Sequence, residues 1–337
     1  MSRRIPKVTR LPGSLLSVVA VTLLSSALWA DDGGEHVPEL LGGIVGVRTQ
    51  VPDTARTART LGTERIGSGV LIDSNGLIVT IGYLILEARS AEVMLASGRR
   101  LPAGIVGYDH ASGFGLLRAI GPVDLRPIRL GSSRPLEKDA PVLIASFGGT
   151  RGVQPAVVTS RREFAGYWEY LLPHAIFTTP PHPAFGGAAL LDEQGRLLGI
   201  GSLAVNDAQA GEYLPGNMFV PIDRLMPAMA DLLTDGRPRT PARPWLGIYT
   251  EEARDKLFVA HVASEGPAQR AGILRGDIII KVAGQTIASM ADFYRKVWSL
   301  GDAGVDVPLT VLSGSEIKQV EIRSADRYSW LRLPPGN

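Results

Sequence analysis

Short apolar runs separated by polar turns follow one another through the first two thirds of the chain. From residue 40 these runs recur at the spacing of about 8–12 residues that is typical of sandwiches and barrels. Ser74, Asn75 and Gly76 stand between two such runs and form a hairpin signal. A second series of runs begins after residue 133. Two consecutive sets of about six strands, without a useful helical period between them, predict a mostly β fold with a double β-barrel.

The pattern changes after the last predicted strand. Residues 220–233 have helical amphipathicity, with Asp223 as the predicted N-terminal cap and Gly236 at the end. The sequence GRPRTPAR at residues 236–243 is basic and rich in proline, which is typical of a stiff linker between domains. We therefore predict a first domain over residues 40–235 and a second domain beyond the linker.

The first thirty residues differ from the rest. Four cations, at positions 3, 4, 7 and 10, precede an apolar segment and a small-residue stretch that ends at Ala30. This layout predicts a signal peptide over residues 1–30 and an exported protein. The apolar segment is shorter than the roughly 20 residues that span a bilayer, so contact with a membrane is expected only if the signal is not cleaved.

Composition excludes several function classes. The chain has no cysteine, which rules out disulfides, thiolate chemistry and cysteine-bound zinc. Its 35 basic and 33 acidic residues are nearly balanced, so nothing predicts nucleic-acid binding. Hydrophobic residues make up 45% of the chain, enough for a large core. We predict no cofactor and no metal site.

Several motifs in order carry a family resemblance. They are GSGVLID at residues 67–73 with GLIVT at 76–80, FVPID at 219–223 and RPWLGI at 243–248. With them, residues 40–325 resemble the HtrA/Deg family of exported trypsin-like serine proteases with a C-terminal PDZ domain. The resemblance implies a chymotrypsin/trypsin-like double β-barrel, an α+β PDZ domain over 244–325 and a C-terminal tail over 326–337. It also implies a periplasmic location, a role in protein quality control, and trimers formed with itself or with HtrA-like relatives.

The positions where the family carries its catalytic triad hold other residues here. The motif alignment places Tyr83 at the histidine, Gly113 at the aspartate and Phe185 at the serine. Pro183 aligns with the glycine whose N–H completes the oxyanion hole, within about one residue of register. Tyrosine is a weak base near neutral pH, phenylalanine cannot attack, and proline has no N–H. Loss of a whole triad costs about 10⁶ in turnover, so the sequence predicts a pseudoprotease.

Two further features of the barrel domain leave alternatives open. Asp109, His110 and Ser112 lie close in sequence and could form a relocated site only if their side chains converged in space. Phe185 either fills the former cleft as a buried aromatic or joins an exposed aromatic surface for a partner. The other members of that surface would be Tyr83, Tyr167, Trp168 and Tyr170.

The second domain retains its predicted binding loop. Trp245, Leu246, Gly247 and Ile248 resemble the PDZ loop whose successive N–H groups receive a peptide's terminal carboxylate, a contact that needs the close approach glycine permits. Residues 265–279 resemble the core motif of this PDZ class. Ser289 has capping-box spacing and opens a helix through Leu300. Phe293 and Val297 on that helix are predicted to border the peptide groove.

These observations predict an exported pseudoprotease that binds peptides or protein C-termini through its PDZ domain, as an adaptor, a chaperone or a modulator of envelope proteolysis. Two alternatives remain open at this point. One is residual or relocated serine endopeptidase activity, and the other is an envelope scaffold that binds partners through the barrel surface.

Overall fold

Two closed antiparallel barrels of six strands each form the first domain, in a computed structural model that describes residues 41–333. The signal peptide predicted for residues 1–30 lies outside the described residues. Around the first barrel the strand order is β1-β2-β3-β6-β5-β4. Its strands are β1 (Ile44–Gln50), β2 (Glu64–Leu71), β3 (Leu77–Ile81), β4 (Ser90–Met94), β5 (Arg100–Tyr108) and β6 (Phe114–Ala119), with a short helix α1 (Ala58–Leu61) between β1 and β2.

The second barrel has the strand order β10-β11-β12-β9-β8-β7. Its strands are β7 (Pro141–Ala145), β8 (Val153–Gly166), β9 (Tyr170–Thr179), β10 (Ala189–Leu191), β11 (Leu197–Val205) and β12 (Gly216–Pro221). With 14 and 10 residues, β8 and β9 are the longest strands described for this domain. They pair as a hairpin as far as Gly166 and Tyr170. We call residues 166–170 the hairpin tip.

The predicted mostly β architecture is confirmed, with one correction at the end of the barrel domain. The helix α2 (Met226–Asp235) begins later than predicted and has no side-chain N-cap. Asp223 was predicted as the cap, but its carboxylate instead accepts hydrogen bonds from the Ser133 N–H at 2.7 Å and the Ser132 hydroxyl at 2.8 Å. Asp223 therefore fastens the connection between the two barrels. Gly236 ends α2 with a φ of 72°, in the left-handed region that favours glycine.

A second sheet, in the order β13-β14-β15-β17-β18, forms the C-terminal domain. Its strands are β13 (Ile248–Ala253), β14 (Lys256–Val262), β15 (Ile278–Val282), β16 (Gln285–Thr286, paired with β15), β17 (Asp306–Ser313) and β18 (Glu316–Arg323). Helices α3 (Pro267–Arg270) and α4 (Met290–Trp298) accompany the sheet. The Ser289 hydroxyl accepts the Asp292 N–H at 3.1 Å, so the predicted cap of α4 is present.

The segment after the second domain docks against the first barrel. The helix α5 (Arg327–Trp330) follows β18, and the Tyr328 hydroxyl accepts the His110 N–H at 2.9 Å. The Arg332 N–H donates to Glu87 at 2.8 Å. Residues 326–333, predicted only as a tail, thus connect the end of the second domain to the first barrel. Within residues 41–333, helices are too short or too polar to cross a bilayer.

Candidate functional site

Tyr83 lies between the two barrels, in a 3-10 turn (Gly82–Leu84) that follows β3. Its hydroxyl donates to the Ser202 carbonyl in the second barrel at 3.1 Å. A Cβ built on Gly186 would lie 2.8 Å from the same hydroxyl oxygen, so Tyr83 reaches the turn that holds Phe185. Burial raises the pKa of Tyr83 far above its ordinary value. The phenol therefore stays protonated and acts as a donor, which is opposite to the role of a general base.

Gly113 lies next to the Tyr83 turn. Its carbonyl accepts the Gly82 N–H at 2.7 Å. Its φ of 86° is in the left-handed region, where side chains are strained. A Cβ built at this position would lie 3.3 Å from the Tyr170 hydroxyl. The backbone at Gly113 is thus shaped for glycine, and an aspartate added there would meet Tyr170.

Phe185 is half-buried in the turn between β9 and β10, and its carbonyl accepts the Ala188 N–H at 3.0 Å. Two residues earlier, Pro183 has no N–H to offer. The Ala184 N–H is already donated to Nδ1 of His182 at 3.1 Å. Since Nδ1 accepts, the ring proton is on Nε2, which lies 3.2 Å from the Gly152 carbonyl. Pro183 and Ala184 are the two residues that could align with the glycine of the oxyanion hole. Neither has a free N–H for an oxyanion.

Asp109, His110 and Ser112 do not form a relocated triad. The Ser112 hydroxyl donates to Asp109 at 2.6 Å and is 1% exposed. Arg327 donates to Nε2 of His110 at 2.8 Å, so Nδ1 carries the proton and donates to the Tyr108 hydroxyl at 3.0 Å. Burial, and then the Arg327 charge, lower the pKa of His110 well below its ordinary value. Both ring nitrogens of His110 are thus bonded, one to Arg327 and the other to Tyr108, and neither bonds to Ser112.

The five aromatic side chains proposed as a partner surface do not form one exposed patch. Tyr170 is buried and donates to the Ser112 carbonyl at 2.6 Å. Tyr83, Trp168 and Phe185 are half-buried, and Tyr167 alone of the five is exposed, at 58%. Trp168 stacks on Tyr170 with ring centroids 5.4 Å apart. These rings mainly fill space within the protein.

The predicted carboxylate-binding loop of the second domain already holds a carboxylate. Glu169, from the hairpin tip, accepts hydrogen bonds from the N–H groups of Leu246 at 2.9 Å, Gly247 at 2.7 Å and Ile248 at 2.9 Å. Gly247 has a φ of 79°, which lets successive N–H groups turn toward one point. Glu169 is itself 4% exposed and has a φ of 59°. The loop therefore binds a carboxyl group in this structure, and that group belongs to the first domain.

The rest of the hairpin tip lies in the space between β13 and α4. We call this space the groove. On the β13 side, the Thr250 N–H donates to the Tyr167 carbonyl at 3.0 Å. On the α4 side, the Tyr294 hydroxyl donates to the Gly166 carbonyl at 2.8 Å. Leu171, just past the tip, packs in the hydrophobic core of the second domain. The hairpin tip thus fills the groove and forms hydrogen bonds with both of its walls.

Burial dominates the electrostatics of Glu169 and raises the pKa of its carboxyl to about 7. The N–H groups of Leu246, Ile248 and Gly247, together with the Arg327 charge, act in the opposite direction. The carboxylate is therefore held at a pKa close to neutrality.

The residues predicted to bind peptide fall into two groups. Leu246, Gly247 and Ile248 converge on one carboxylate, and Trp245 beside them packs against Trp330 with centroids 4.7 Å apart. Phe293 and Val297 are fully buried in the domain core, so their contact with a peptide stays a prediction. Sequence reasoning missed Tyr294 and Glu169 as groove residues. No sequence signal links Glu169 to a loop about eighty residues away, whereas Tyr294 directly follows Phe293 on the helix that was predicted to border the groove.

Comparison with known proteins agrees with the division of the chain into two domains. Residues 67–200 match the trypsin-like peptidase domain family, and residues 244–323 match the PDZ domain family. The chain is similar to the serine endoprotease from Yersinia pestis, with 23% identity and a TM-score of 0.51 over 86% of this chain and 96% of that one. It is also similar to the HtrA-type protease AlgW with a decapeptide, with 20% identity and a TM-score of 0.52 over 89% and 98%. At these identities the likeness concerns the fold.

Curated relatives extend the similarity to sequence. A probable periplasmic serine endoprotease DegP-like from Pseudomonas fluorescens is 28% identical over 302 residues, which cover 86% of this chain and 62% of the relative. The corresponding protein of Halomonas elongata is 27% identical over 316 residues, 87% of this chain and 64% of the relative. The chain thus spans less than two thirds of the length of these relatives. It combines a match to the trypsin-like peptidase domain family with a match to the PDZ domain family, and over most of its length it is similar to DegP-like serine endoproteases.

Proposed function

We propose that this chain is an exported, catalytically inactive HtrA-type protein that binds peptides or protein C-termini through its PDZ domain. In this role it acts as an adaptor, a chaperone or a modulator of envelope proteolysis. The proposal that the protein is inactive rests on the residues in the cleft between the barrels. A protonated phenol, a glycine and a phenylalanine stand at the triad positions Tyr83, Gly113 and Phe185. Pro183 has no N–H and the Ala184 N–H is already bonded, so neither offers a donor to an oxyanion.

The binding half of the proposal rests on the PDZ loop. The N–H groups of Leu246, Gly247 and Ile248 accommodate a carboxylate with ordinary hydrogen-bond distances. A peptide's terminal carboxylate has the same chemistry, and the edge strand β13 offers the backbone pairing that PDZ ligands use. The periplasmic names of the curated relatives support an exported location, and trimer formation with itself or with HtrA-like relatives is part of the same proposal.

Labelling of the full chain with a fluorophosphonate probe, together with a casein digest, tests the inactivity. We expect no labelled serine and no new casein fragments under conditions in which a DegP-like relative gives both. Specific labelling of any serine, Ser112 included, would refute the pseudoprotease proposal and favour a residual or relocated hydrolase.

A further inference from the structure

Glu169 uses every donor that the PDZ loop offers to a ligand carboxylate. The Gly247 and Ile248 N–H groups both donate to Oε1, and the Leu246 N–H donates to Oε2. A backbone N–H has one proton, so a peptide's terminal carboxylate cannot bind these groups while Glu169 holds them.

The tip also blocks the edge strand on which a peptide would add. The Thr250 N–H on β13 is bonded to the Tyr167 carbonyl, as it would be to an added strand. Across the groove, the Tyr294 hydroxyl bonds the Gly166 carbonyl and accepts the Glu169 N–H at 3.3 Å. The hairpin tip thus imitates a ligand at both the carboxylate loop and the strand edge.

Two contacts outside the groove hold the tip in place. Glu163 on β8 forms an ion pair with Arg295 on α4. Arg327 on α5 donates to the Trp168 carbonyl at 2.8 Å, so the C-terminal segment and the tip are fastened together. These anchors keep the carboxylate at the loop at a high effective concentration.

From this geometry we infer that the hairpin tip of the barrel domain is a built-in competitor, with Glu169 as its carboxylate, and that protein C-termini bind the PDZ domain only after the tip is released. The inference rests on the peptide-binding function proposed above and adds its regulation. Apparent peptide affinity is then the intrinsic affinity reduced by the fraction of molecules whose groove is open.

The test compares the full chain with Glu169→Ala and Glu169→Gln. The probe is a fluorescein-labelled pool of random hexapeptides with free C-termini, and the same pool with C-terminal carboxamides is the ligand control. Glu193→Ala removes an exposed glutamate from the turn between β10 and β11 and is the matched protein control. Hydrogen exchange of the amides at residues 246–248 is measured on the same samples.

We expect both Glu169 variants to bind the carboxylate pool at least about tenfold more tightly than the wild type. Alanine removes both acceptor oxygens, and the amide nitrogen of glutamine cannot accept an N–H, whereas both oxygens of a carboxyl group can. One buried N–H left without an acceptor corresponds to about that factor. The amides at 246–248 should exchange faster in both variants and be unchanged in Glu193→Ala. The Glu169→Gln variant keeps the size of the side chain, so its result stands even if the alanine variant folds poorly.

Other outcomes separate the two proposals. If the wild type binds the carboxylate pool as tightly as both variants, the competitor role is refuted and the peptide-binding function stands. If exchange rises in the variants but they do not prefer the carboxylate pool over the carboxamide pool, the peptide-binding function is refuted, and the competitor role with it.

Discussion

Peptide access to the groove should depend on pH through Glu169. In the closed groove, burial raises the pKa of its carboxyl to about 7 from an ordinary value of 4.5. A released hairpin tip exposes Glu169 to water, where the ordinary value applies. A raised pKa in the closed state means that protonation favours that state. The closed groove is therefore most stable below about pH 4.5 and loses stability as the pH rises through about 7.

The two pKa values set the size of the effect. The difference between them corresponds to about 3 kcal/mol over the full range. Between pH 5.5 and pH 8 the closing equilibrium should weaken by about 10- to 30-fold. Where the closed form dominates, the apparent peptide affinity should rise by the same factor. A peptide carboxylate is ionised throughout this window, so it adds no pH dependence of its own.

The charged and titratable groups that face Glu169 keep their states across the window. The charge of Arg327 acts to lower the pKa of Glu169. Burial raises the pKa values of Tyr249 and Tyr294 and lowers that of His110, so these three remain neutral. Glu169 is thus the group of this cluster that titrates.

Fluorescence anisotropy with the carboxylate pool at several pH values measures the slope. The wild type should bind more tightly at pH 8 than at pH 5.5, and Glu169→Gln should bind with little pH dependence. Any slope left in that variant comes from groups other than Glu169. Tighter binding at pH 5.5, or an equal slope in Glu169→Gln, would show that the closed carboxyl does not control access.

Three further predictions concern the barrel domain. Combining Tyr83→His, Gly113→Asp and Phe185→Ser should not restore casein cleavage, because the aspartate meets Tyr170 at a strained φ and the second oxyanion donor stays absent; measurable proteolysis would contradict this. Glu87→Ala should lower the free energy of unfolding in urea by about 3 kcal/mol, because the buried carboxylate accepts three backbone N–H bonds and one hydroxyl bond; a change below about 1 kcal/mol would count against that network. Phe177→Ala should cost about 3–5 kcal/mol in the same assay, because the ring is fully buried, and a smaller loss would mean that the second barrel collapses around the cavity.

The barrel architecture could be predicted because it depends on local patterns. Alternating apolar positions, hairpin turns and their spacing are sufficient for two sets of six strands. Helix α2 shows the limit of this reasoning. Asp223 has the residue type and position of an N-cap, but Ser132 and Ser133, about ninety residues earlier, offer three donors to its carboxylate. Asp223 therefore bonds to residues that are distant in sequence and does not cap the nearby helix.

The candidate cleft was also accessible to sequence reasoning in part. The motif order located Tyr83, Gly113 and Phe185, and residue chemistry alone indicated that none could perform the role of the triad member. The bond from the Ala184 N–H to His182 could not be predicted, because nothing in the sequence shows which way a backbone N–H points.

The sequence by itself determined the two-domain plan, the loop at Leu246, Gly247 and Ile248 that can receive a carboxylate, and which residues stand at the predicted triad positions. Only the tertiary structure decided which carboxylate this loop holds. Glu169 is one acidic residue among 33, and it reaches the loop because β8 and β9 extend past their barrel to the second domain. A linear pattern records residue types and spacing, whereas occupancy of the groove depends on how two folded domains meet.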